Sequence, residues 1–488
     1  MESVLVGELQ SKTRTVFSEL AVPKLGDKSK SFQSLGLPSY LRDWLLAQFV
    51  DDSGDIDMAG VSSYAHEKLP RRTDWENLKR RLIEGDTVKI LTKVRTNVDV
   101  RTGEAFYSLP DLGFPKSRND AIVNKRLLRD KGDVLLARPE CWGVVQLEWK
   151  QMKLPGETRE HGAAVLMDFQ AFRAYSHVDL EFYRNARREF STDEWICLML
   201  LSMDYNPWGF ATDRERLTML SRLMPFVSKR LNLVELAPKS TGKTYVFSQL
   251  SSYGWLVSGG SLSRARLFYD IAQKSEGLVR RSDFVALDEV QTISFPDVSE
   301  MRGALKGYLE SGEFRVGDYS GVADASFVLL GNIPQDAMQT STNMFAFLPE
   351  FFNESALLDR FHGFVRGWNL PRMRENLKAE GWGLDTAYLG EIWHDLREAT
   401  DSRTIVDQLV KTDLTADTRD TEAVKRLCTA LIKILFPHWR RTSDVNTAEM
   451  DEYCLQPAIL MRQDIRRQLH SMDPLEYSTD LPDIRMQR

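Results

Sequence analysis

Cysteine is scarce in this chain of 488 residues, and the few cysteines are scattered. Cys141, Cys197, Cys428 and Cys454 form no Cys-x-x-Cys pair, and the seven histidines show no metal-ligand spacing. The sequence therefore offers neither a disulfide framework nor a zinc site. Free thiols in a large chain suit the reducing cytosol.

Long apolar runs are also missing. No stretch approaches the roughly 20 apolar residues that a membrane-spanning helix needs. The first residues, MESVLVGELQSKTRTVF, lack the basic start and the apolar block of a secretory signal. We therefore expect a cytoplasmic protein that has no membrane partner.

The sequence does contain enough apolar material for several cores, with 42% hydrophobic and 27% charged residues. A chain of this length is expected to form two to four domains. Its net charge of −6 is uneven, because residues 71–155 carry 18 Lys and Arg against 12 Asp and Glu. This asymmetry favours a basic surface on one domain that binds a partner. An ordinary solvent-exposed face would explain the charge distribution equally well.

Hydrophobic periodicity predicts an α/β protein in four regions. The first is an N-terminal segment, the second a β-rich α+β domain, the third an alternation of strands and helices, and the fourth mostly helical with a loose tail. The predicted regions are 1–70, 71–190, 191–372 and 373–488, with the tail from 478 onward.

The stretch NLVELAPKSTGKTYVFSQLS (232–251) has the order strand, loop, helix that a phosphate-binding loop requires. Its backbone N–H groups and its helix N-terminus would face the phosphates. Lys243 would bring an ammonium group to the β- and γ-phosphates, Thr244 would offer its hydroxyl to Mg²⁺, and Gly242 would allow close backbone approach. The candidate nucleotide-binding residues are Ala237, Pro238, Lys239, Ser240, Thr241, Gly242, Lys243, Thr244 and Asp288.

Ala237 stands where such loops usually have their first glycine. An alanine costs little if the backbone there has a negative φ, and about 1 kcal/mol or more in a left-handed conformation. The loop by itself therefore leaves open a working site, a decayed site and a chance match.

Two later apolar strands end in polar residues. SDFVALDEV (282–290) ends in Asp288, a candidate Mg²⁺ ligand together with Thr244, and in Glu289, a candidate general base for water. ASFVLLGNIP (325–334) ends at Asn332, which could position that water; a simple turn asparagine before Pro334 is the alternative.

Two arginines follow, one at the end of a predicted helix and the other at the start of another. Arg360 lies in ALLDRFHGF and Arg419 in DTRDTEAVKRL. Arginines so placed can neutralise charge on the γ-phosphate in the transition state. The local sequence around each of them is equally compatible with an ordinary surface arginine that has no role in catalysis.

Together these motifs resemble the AAA+ ATPases, and within them the presensor-hairpin clade that includes the minichromosome-maintenance helicases and Lon-type proteases. The resemblance implies a P-loop ATPase core with a helical C-terminal lid. It also implies that Asn332 is sensor 1, Arg360 the arginine finger and Arg419 sensor 2. Residues 312–330 would include the hairpin that such helicases present to DNA, with Arg315 as a candidate contact.

A closer resemblance covers most of residues 86–470. LAPKSTGKTYVFSQLSSYGWLVSGG, GLVRRSDFVALDEV and LLDRFHGFVRGWNLPRM are similar to the BrxL family, the Lon-like ATPases of BREX phage-defence systems. The resemblance implies ATP and Mg²⁺ as cofactors, and a hexameric ring around double-stranded DNA that can stack on a second ring. It also implies association with other defence-system proteins.

The chain departs from that family in two ways. Ala237 and Ser240 stand where glycines are frequent, and a Lon-protease-like region is expected to be missing beyond Arg488. We therefore predict ATPase activity without peptidase activity.

Two other functions remain compatible with the sequence. One is a protein-remodelling ATPase that never contacts nucleic acid, and the other is a scaffold that binds nucleotide without turnover. In the N-terminal domain, Phe106, Tyr107 and Trp142 could contact DNA or simply fill a β core.

Overall fold

A computed structural model describes a mixed α/β chain, as the sequence predicts. In the described residues no helix has both the length and the apolar composition needed to cross a membrane. The described residues are 2–25, 37–50, 56–100, 102–136, 138–153, 160–172, 175, 177–272, 274–334, 337–338, 343–413 and 416–487.

The N-terminal segment is mostly helical. Its Phe17 packs against Trp195 of the later helical part, with ring centroids 6.4 Å apart. The first helix and strand of this segment thus belong to the largest hydrophobic core of the protein, whereas its next two helices form a small cluster of their own. Its elements are α1 (Glu2–Phe17), β1 (Ala21–Leu25), α2 (Ser39–Ala47) and α3 (Met58–Lys68). The next helix, α4 (Trp75–Ile83), packs with the barrel that follows it.

A closed five-stranded barrel follows. Its strands are β2 (Val88–Asp99), β3 (Glu104–Ser108), β4 (Ala121–Val123), β5 (Cys141–Met152) and β6 (His161–Ala171), with helix α5 (Lys125–Leu136) between β4 and β5. The order around the barrel is β2-β3-β4-β6-β5. Only the β4–β6 pair is parallel; this order, with the helix after the third strand, is the topology of the oligonucleotide- and oligosaccharide-binding barrel.

Four helices connect the barrel to the central sheet. Ser191 begins the second of them with a capping box, in which its hydroxyl accepts from the Glu194 N–H and the Glu194 carboxylate accepts from the Ser191 N–H. The helices are α6 (Leu180–Arg188), α7 (Thr192–Ser202), α8 (Asp213–Ser221) and α9 (Met224–Val227).

The central sheet consists of β7 (Leu233–Ala237), β8 (Gly254–Ser261), β11 (Phe284–Ser294), β14 (Ser326–Asn332) and β15 (Gly363–Val365). It is parallel, with strand order β15-β7-β14-β11-β8. β7 and β14 are buried almost throughout, which explains their continuous apolar sequences. The other elements of this part are α10 (Lys243–Gln249), α11 (Arg264–Leu267), β9 (Tyr269–Asp270), β10 (Ser275–Glu276), α12 (Leu278–Arg281), α13 (Val298–Ser311), β12 (Glu313–Val316), β13 (Tyr319–Val322) and α14 (Ser355–Leu358).

The C-terminal part is largely helical and packs on the sheet. It comprises β16 (Glu380–Leu384), α15 (Thr386–Glu398), α16 (Asp401–Leu409), β17 (Val410–Thr412), α17 (Thr418–Leu435), α18 (Thr447–Met450), α19 (Gln456–Met472) and β18 (Ile484–Met486). β16 pairs with β1 of the N-terminal segment. The prediction of a loose tail is wrong for β18, which pairs antiparallel with β17.

Candidate nucleotide site

The three polar motifs predicted from the sequence meet at one edge of the sheet. Because β7, β11 and β14 are parallel, the residues that follow them lie at the same carboxyl edge. The Lys243 ammonium donates to Asn332 Oδ1 at 3.0 Å. The Thr244 hydroxyl donates to Asp288 Oδ2 at 2.5 Å. The loop, the acidic strand end and the asparagine therefore form one cluster.

The loop itself turns through two left-handed residues, Ser240 with φ 67° and Gly242 with φ 79°. Gly242 could not carry a side chain, because an added Cβ would lie 2.2 Å from the Tyr205 hydroxyl. Ser240 adopts a conformation that costs a non-glycine residue about 1–2 kcal/mol. Of the two departures from a glycine-rich loop, Ser240 is therefore the strained one.

Ala237 is the last residue of β7 and is fully buried. Its extended backbone imposes no left-handed conformation, so alanine is tolerated there. Its methyl group faces Gly367, where an added Cβ would come within 2.4 Å of the Ala237 Cβ. Glycine is needed at 367, and the small side chain at 237 fills the space beside it.

We expect Ala237→Gly to leave ATP turnover within a few-fold of the parent protein. It should lower the free energy of unfolding by about 1–2 kcal/mol, because a buried methyl group is lost and the unfolded chain gains freedom. Steady-state ATPase assays and denaturant unfolding check both expectations. Gly367→Ala is the matched control and should impair both properties; a more than ten-fold loss of turnover in Ala237→Gly would contradict this account.

Lys243 is nearly enclosed, with 5% of its surface exposed. Its ammonium also donates to the carbonyl of Pro238 at 3.1 Å, so the side chain folds back along its own loop. Burial lowers the pKa of Lys243, while the nearby Glu235 carboxylate raises it. A buried cation surrounded by carbonyl oxygens is suited to receive an anionic group.

The side chains of Asp288 and Glu289 point in different directions, although the two residues are neighbours on β11. Asp288 is buried, whereas Glu289 is exposed and has a left-handed backbone with φ 47°. The pairing of β11 with β8 shifts register directly after Asp288, and such an irregularity re-aims side chains at active sites. Among the described residues none donates a hydrogen bond to the Glu289 carboxylate, which leaves it available as a base.

The cluster also fits Mg²⁺. The ion prefers six oxygen ligands and is usually held by one or two carboxylates together with phosphate oxygens and waters. The Thr244 hydroxyl and the Asp288 carboxylate already lie together. In the described residues no group of three or more His, Cys, Asp or Glu side chains could hold a metal by itself. These two residues would therefore bind the ion jointly with a nucleotide.

The two predicted arginines lie elsewhere. Arg360 comes three residues before β15, and its carbonyl oxygen accepts from the Asn232 side chain, directly before β7. Both positions are at the amino edge of the sheet, since β15 and β7 are parallel with Gly363 opposite Leu233. A five-residue strand rises about 15 Å. Arg360 is thus on the far side of the sheet from the loop of its own chain.

Arg419 accompanies Arg360. It lies in the first turn of α17 and donates to Asp359 Oδ2 at 2.6 Å. Both arginines also bind the exposed Glu310 carboxylate, Arg360 through Nε at 2.9 Å and Arg419 through Nη2 at 3.2 Å. The structure brings the two predicted arginines together and separates them from Lys243, Thr244 and the other residues at the carboxyl edge.

The predicted hairpin is present as β12 and β13, with Gly317 and Asp318 at its tip. Arg315 is exposed on β12, and its Nε donates to the Gly317 carbonyl at 3.0 Å. The hairpin rests on a neighbouring one, because Tyr319 stacks on Tyr269 with ring centroids 3.6 Å apart. The Arg315 side chain is therefore exposed at the surface, and in the sequence it lies far from the candidate phosphate-binding loop (237–244).

Several residues that support the loop carried no sequence signal. Tyr245 follows Thr244 and donates its hydroxyl hydrogen bond to Asp204, and it also contacts Ser39 of the N-terminal segment at 2.6 Å. Arg222 contacts the loop from the protein interior, where it donates a hydrogen bond to the Thr241 carbonyl oxygen. Ser39, Asp204 and Arg222 lie outside the loop stretch in the sequence, and no local motif marks their contacts with it.

Two family models match this chain. The family described as Lon-like protease BrxL-like, ATPase domain, matches residues 164–483. The family described as BREX system Lon protease-like protein BrxL N-terminal matches residues 15–149.

Two curated relatives cover most of the chain. The Lon-like protease BrxL of Escherichia coli O9:H4 (strain HS) is 29% identical over 451 residues, which is 91% of this chain and 62% of that protein. The Lon-like protease BrxL of Bacillus cereus (strain H3081.97) is 28% identical over 452 residues, or 91% of this chain and 64% of that protein. The chain therefore spans less than two thirds of the length of these relatives.

Proposed function

Since the chain belongs to the BrxL family, we propose that it is a ring-forming ATPase that binds double-stranded DNA in BREX-type antiviral defence. On this proposal, residues 71–190 engage DNA, residues 191–372 form the AAA+ ATPase core and residues 373–488 form its helical lid. Contacts with other defence-system proteins belong to the same proposal.

One observation carries the assembly part of the proposal. Arg360 and Arg419 share Glu310 at the amino edge of the sheet, whereas Lys243 and Glu289 are at the carboxyl edge. Arginines that act on the γ-phosphate must contact it in the transition state. Those of one chain cannot reach its own loop across the sheet, so they would serve the nucleotide of a neighbouring copy.

A ring is the arrangement that follows from such a contact. The loop face of one subunit would meet the arginine face of the next. This is a head-to-tail interface, which generates a ring when its rotation closes. A hexamer is the ring size that the family resemblance implies. Glu310 would hold both arginines ready until a phosphate competes for them.

Within each site the roles follow from position. Lys243 would bind the phosphates, and Thr244 with Asp288 would hold Mg²⁺, which when bound neutralises phosphate charge. Glu289 would take a proton from the attacking water. Asn332 lies 3.0 Å from the Lys243 ammonium and would orient the water or the γ-phosphate.

The barrel supports contact with DNA. Barrels of this topology bind oligonucleotides through the face of their second and third strands. In this barrel those strands are β3 and β4. A cleft of about 560 Å³ beside β3 is lined by residues of β2 and β3, by Arg118 and by Lys274 of the proposed ATPase core. Arg118 stacks over the Phe106 ring at 3.9 Å. Tyr107 is buried in the barrel core, whereas Phe106 is buried in a separate small cluster with Ile122, beneath Arg118.

Exposed basic residues also lie on two other elements. The α5 helix exposes Lys125, Arg126 and Arg129, whose side chains are 74%, 83% and 76% exposed. Arg315 on the β12–β13 hairpin adds a further exposed cation. Long cationic side chains that remain in solvent are suited to contact phosphates without reading bases.

DNA retention gives a direct test. We expect duplex DNA to bind at low salt and to lose at least ten-fold in affinity between about 50 and 200 mM salt, because phosphate contacts release counterions. Arg315→Glu should weaken binding further, whereas Lys411→Glu, a matched charge change on β17, should not. Filter binding or fluorescence anisotropy measures both. Failure to retain duplex DNA at low salt, with ATPase activity intact, would instead favour a protein-remodelling ATPase.

A further inference from the structure

Beneath the loop lies an ion pair that is completely enclosed. The side chains of Arg222 and Glu235 are 0% and 1% exposed. Arg222 donates to Glu235 through Nε at 3.0 Å and through Nη2 at 2.5 Å. Its remaining terminal nitrogen, Nη1, donates to the carbonyl oxygen of Thr241 at 2.8 Å. One guanidinium therefore joins the end of α8, the strand β7 and the loop.

Stability alone does not account for such a pair. Enclosing two charges is costly, and replacing a buried ion pair by apolar side chains of similar volume is often neutral or stabilising. Orienting a neighbouring polar group is a use that apolar side chains would not supply. The third contact, to Thr241, indicates what this use is.

Thr241 lies between the two left-handed residues Ser240 and Gly242. Its carbonyl and the N–H of Gly242 belong to one planar trans peptide, in which they point in opposite directions. Arg222 holds the carbonyl toward the protein interior. The Gly242 N–H is consequently directed away from the interior, toward the space in front of the loop.

We propose that Arg222 and Glu235 are positioning residues of the nucleotide site, which fix the Thr241–Gly242 peptide so that its N–H faces the phosphates. This inference rests on the proposed binding of nucleotide at the loop. Arg222 orients the peptide, and Glu235 orients Arg222 by a two-point contact that only a planar guanidinium can make.

Glu235 has a second task. Arg222 without its partner would be an unpaired cation close to the Lys243 ammonium, and the two charges would repel each other. The Glu235 carboxylate offsets that repulsion. Burial is the largest effect on the pKa of Lys243 and lowers it; Arg222 also lowers this pKa, whereas Glu235 raises it. The pair thus keeps the loop in place without discouraging the charge on Lys243.

The test uses the full-length double variant Arg222→Met with Glu235→Leu. Its apolar side chains should fill the same space, so the thermal midpoint should remain within a few degrees of the parent protein. The dissociation constant for ADP, measured by calorimetry without Mg²⁺, should nevertheless rise at least ten-fold because the peptide is released. An unchanged dissociation constant in a folded double variant would overturn the inference.

Two further variants make the result decisive. Arg222→Lys keeps the charge, but a lysine cannot contact Glu235 and Thr241 at the same time. This variant should weaken ADP binding about five-fold. If the double variant does not fold, unchanged ADP binding in Arg222→Lys would overturn the inference. The pair Arg403→Gln with Glu422→Gln removes a comparable two-point pair, with 2.8 Å contacts on α16 and α17, and should leave binding unchanged.

Failure of this inference is distinguishable from failure of the proposed function. If Lys243→Ala abolishes ADP binding while the Arg222–Glu235 double variant binds normally, the nucleotide site stands and the positioning role falls. If Lys243→Ala itself binds ADP as the parent does, the site is misassigned and both proposals fall.

Discussion

Glu289→Gln is expected to slow ATP hydrolysis by between about a hundred-fold and ten-thousand-fold, the usual contribution of a positioned general base. ATP binding should stay within a few-fold, because Lys243, Thr244 and Asp288 are untouched. The structural reason is the irregularity in β11, which exposes Glu289 while Asp288 stays buried beside Thr244. The amide keeps the shape and removes only the ability to accept a proton.

Single-turnover hydrolysis and equilibrium ATP binding separate the two effects. Lys243→Ala should lose binding itself, so the two variants fail for different reasons. Glu452→Gln, on an exposed carboxylate far along the chain, is the control for a change of one charge. Turnover in Glu289→Gln close to that of the parent would show that another group acts as the base.

Arg360→Ala is expected to abolish turnover to a similar degree, and mixing it with Lys243→Ala protein should restore part of the activity. Each variant supplies the half of the site that the other lacks. If subunits mix at random in equal amounts, about one quarter of the interfaces contain both intact halves. We therefore expect roughly a quarter of the parent activity, whereas each variant alone remains inactive.

Arg419→Ala should behave in the same way, because Arg419 shares Glu310 and the amino edge of the sheet with Arg360. It should be rescued by Lys243→Ala protein but not by Arg360→Ala protein, since those two changes damage the same half. Rescue of Arg419→Ala by Arg360→Ala, or no rescue with Lys243→Ala, would contradict a site shared in this manner. ATPase assays over a series of mixing ratios provide the measurement.

The residues of the candidate site could be predicted because they lie in short continuous segments of the sequence. A buried parallel strand reads as a continuous apolar run, and the residue after it must lie at the carboxyl edge of the sheet. This logic identified the loop around Lys243, the pair Asp288 and Glu289, and Asn332. The hydrogen bonds from Lys243 to Asn332 and from Thr244 to Asp288 agree with it.

Other features could not be predicted in this way. The barrel requires the β4–β6 pair, whose members are separated by a helix and another strand, and no pattern within one strand specifies its partner. The strand β18 was mistaken for a loose tail because its partner β17 lies far back in the chain. Pairing across such distances is decided by packing of the whole fold.

By itself the sequence was enough to predict which residues would bind phosphate, hold Mg²⁺ and serve as a base, because these predictions depend on residue type and on neighbours along the chain. It also determined that Ala237 could be tolerated if its φ were negative. Only the tertiary structure decided that Ala237 ends a strand, and that Ser240 bears the strain.

The tertiary structure also decided on which side of the sheet each charge lies. Arg360 and Arg419 are at one edge and Lys243 is at the other, so the arginines of one chain would complete the site of another. It likewise brought Arg222 and Glu235 beneath Thr241. The physical reason is the same in both cases: the direction of parallel strands and the enclosure of the core fix which groups can meet, and neither property is visible in a local stretch of sequence.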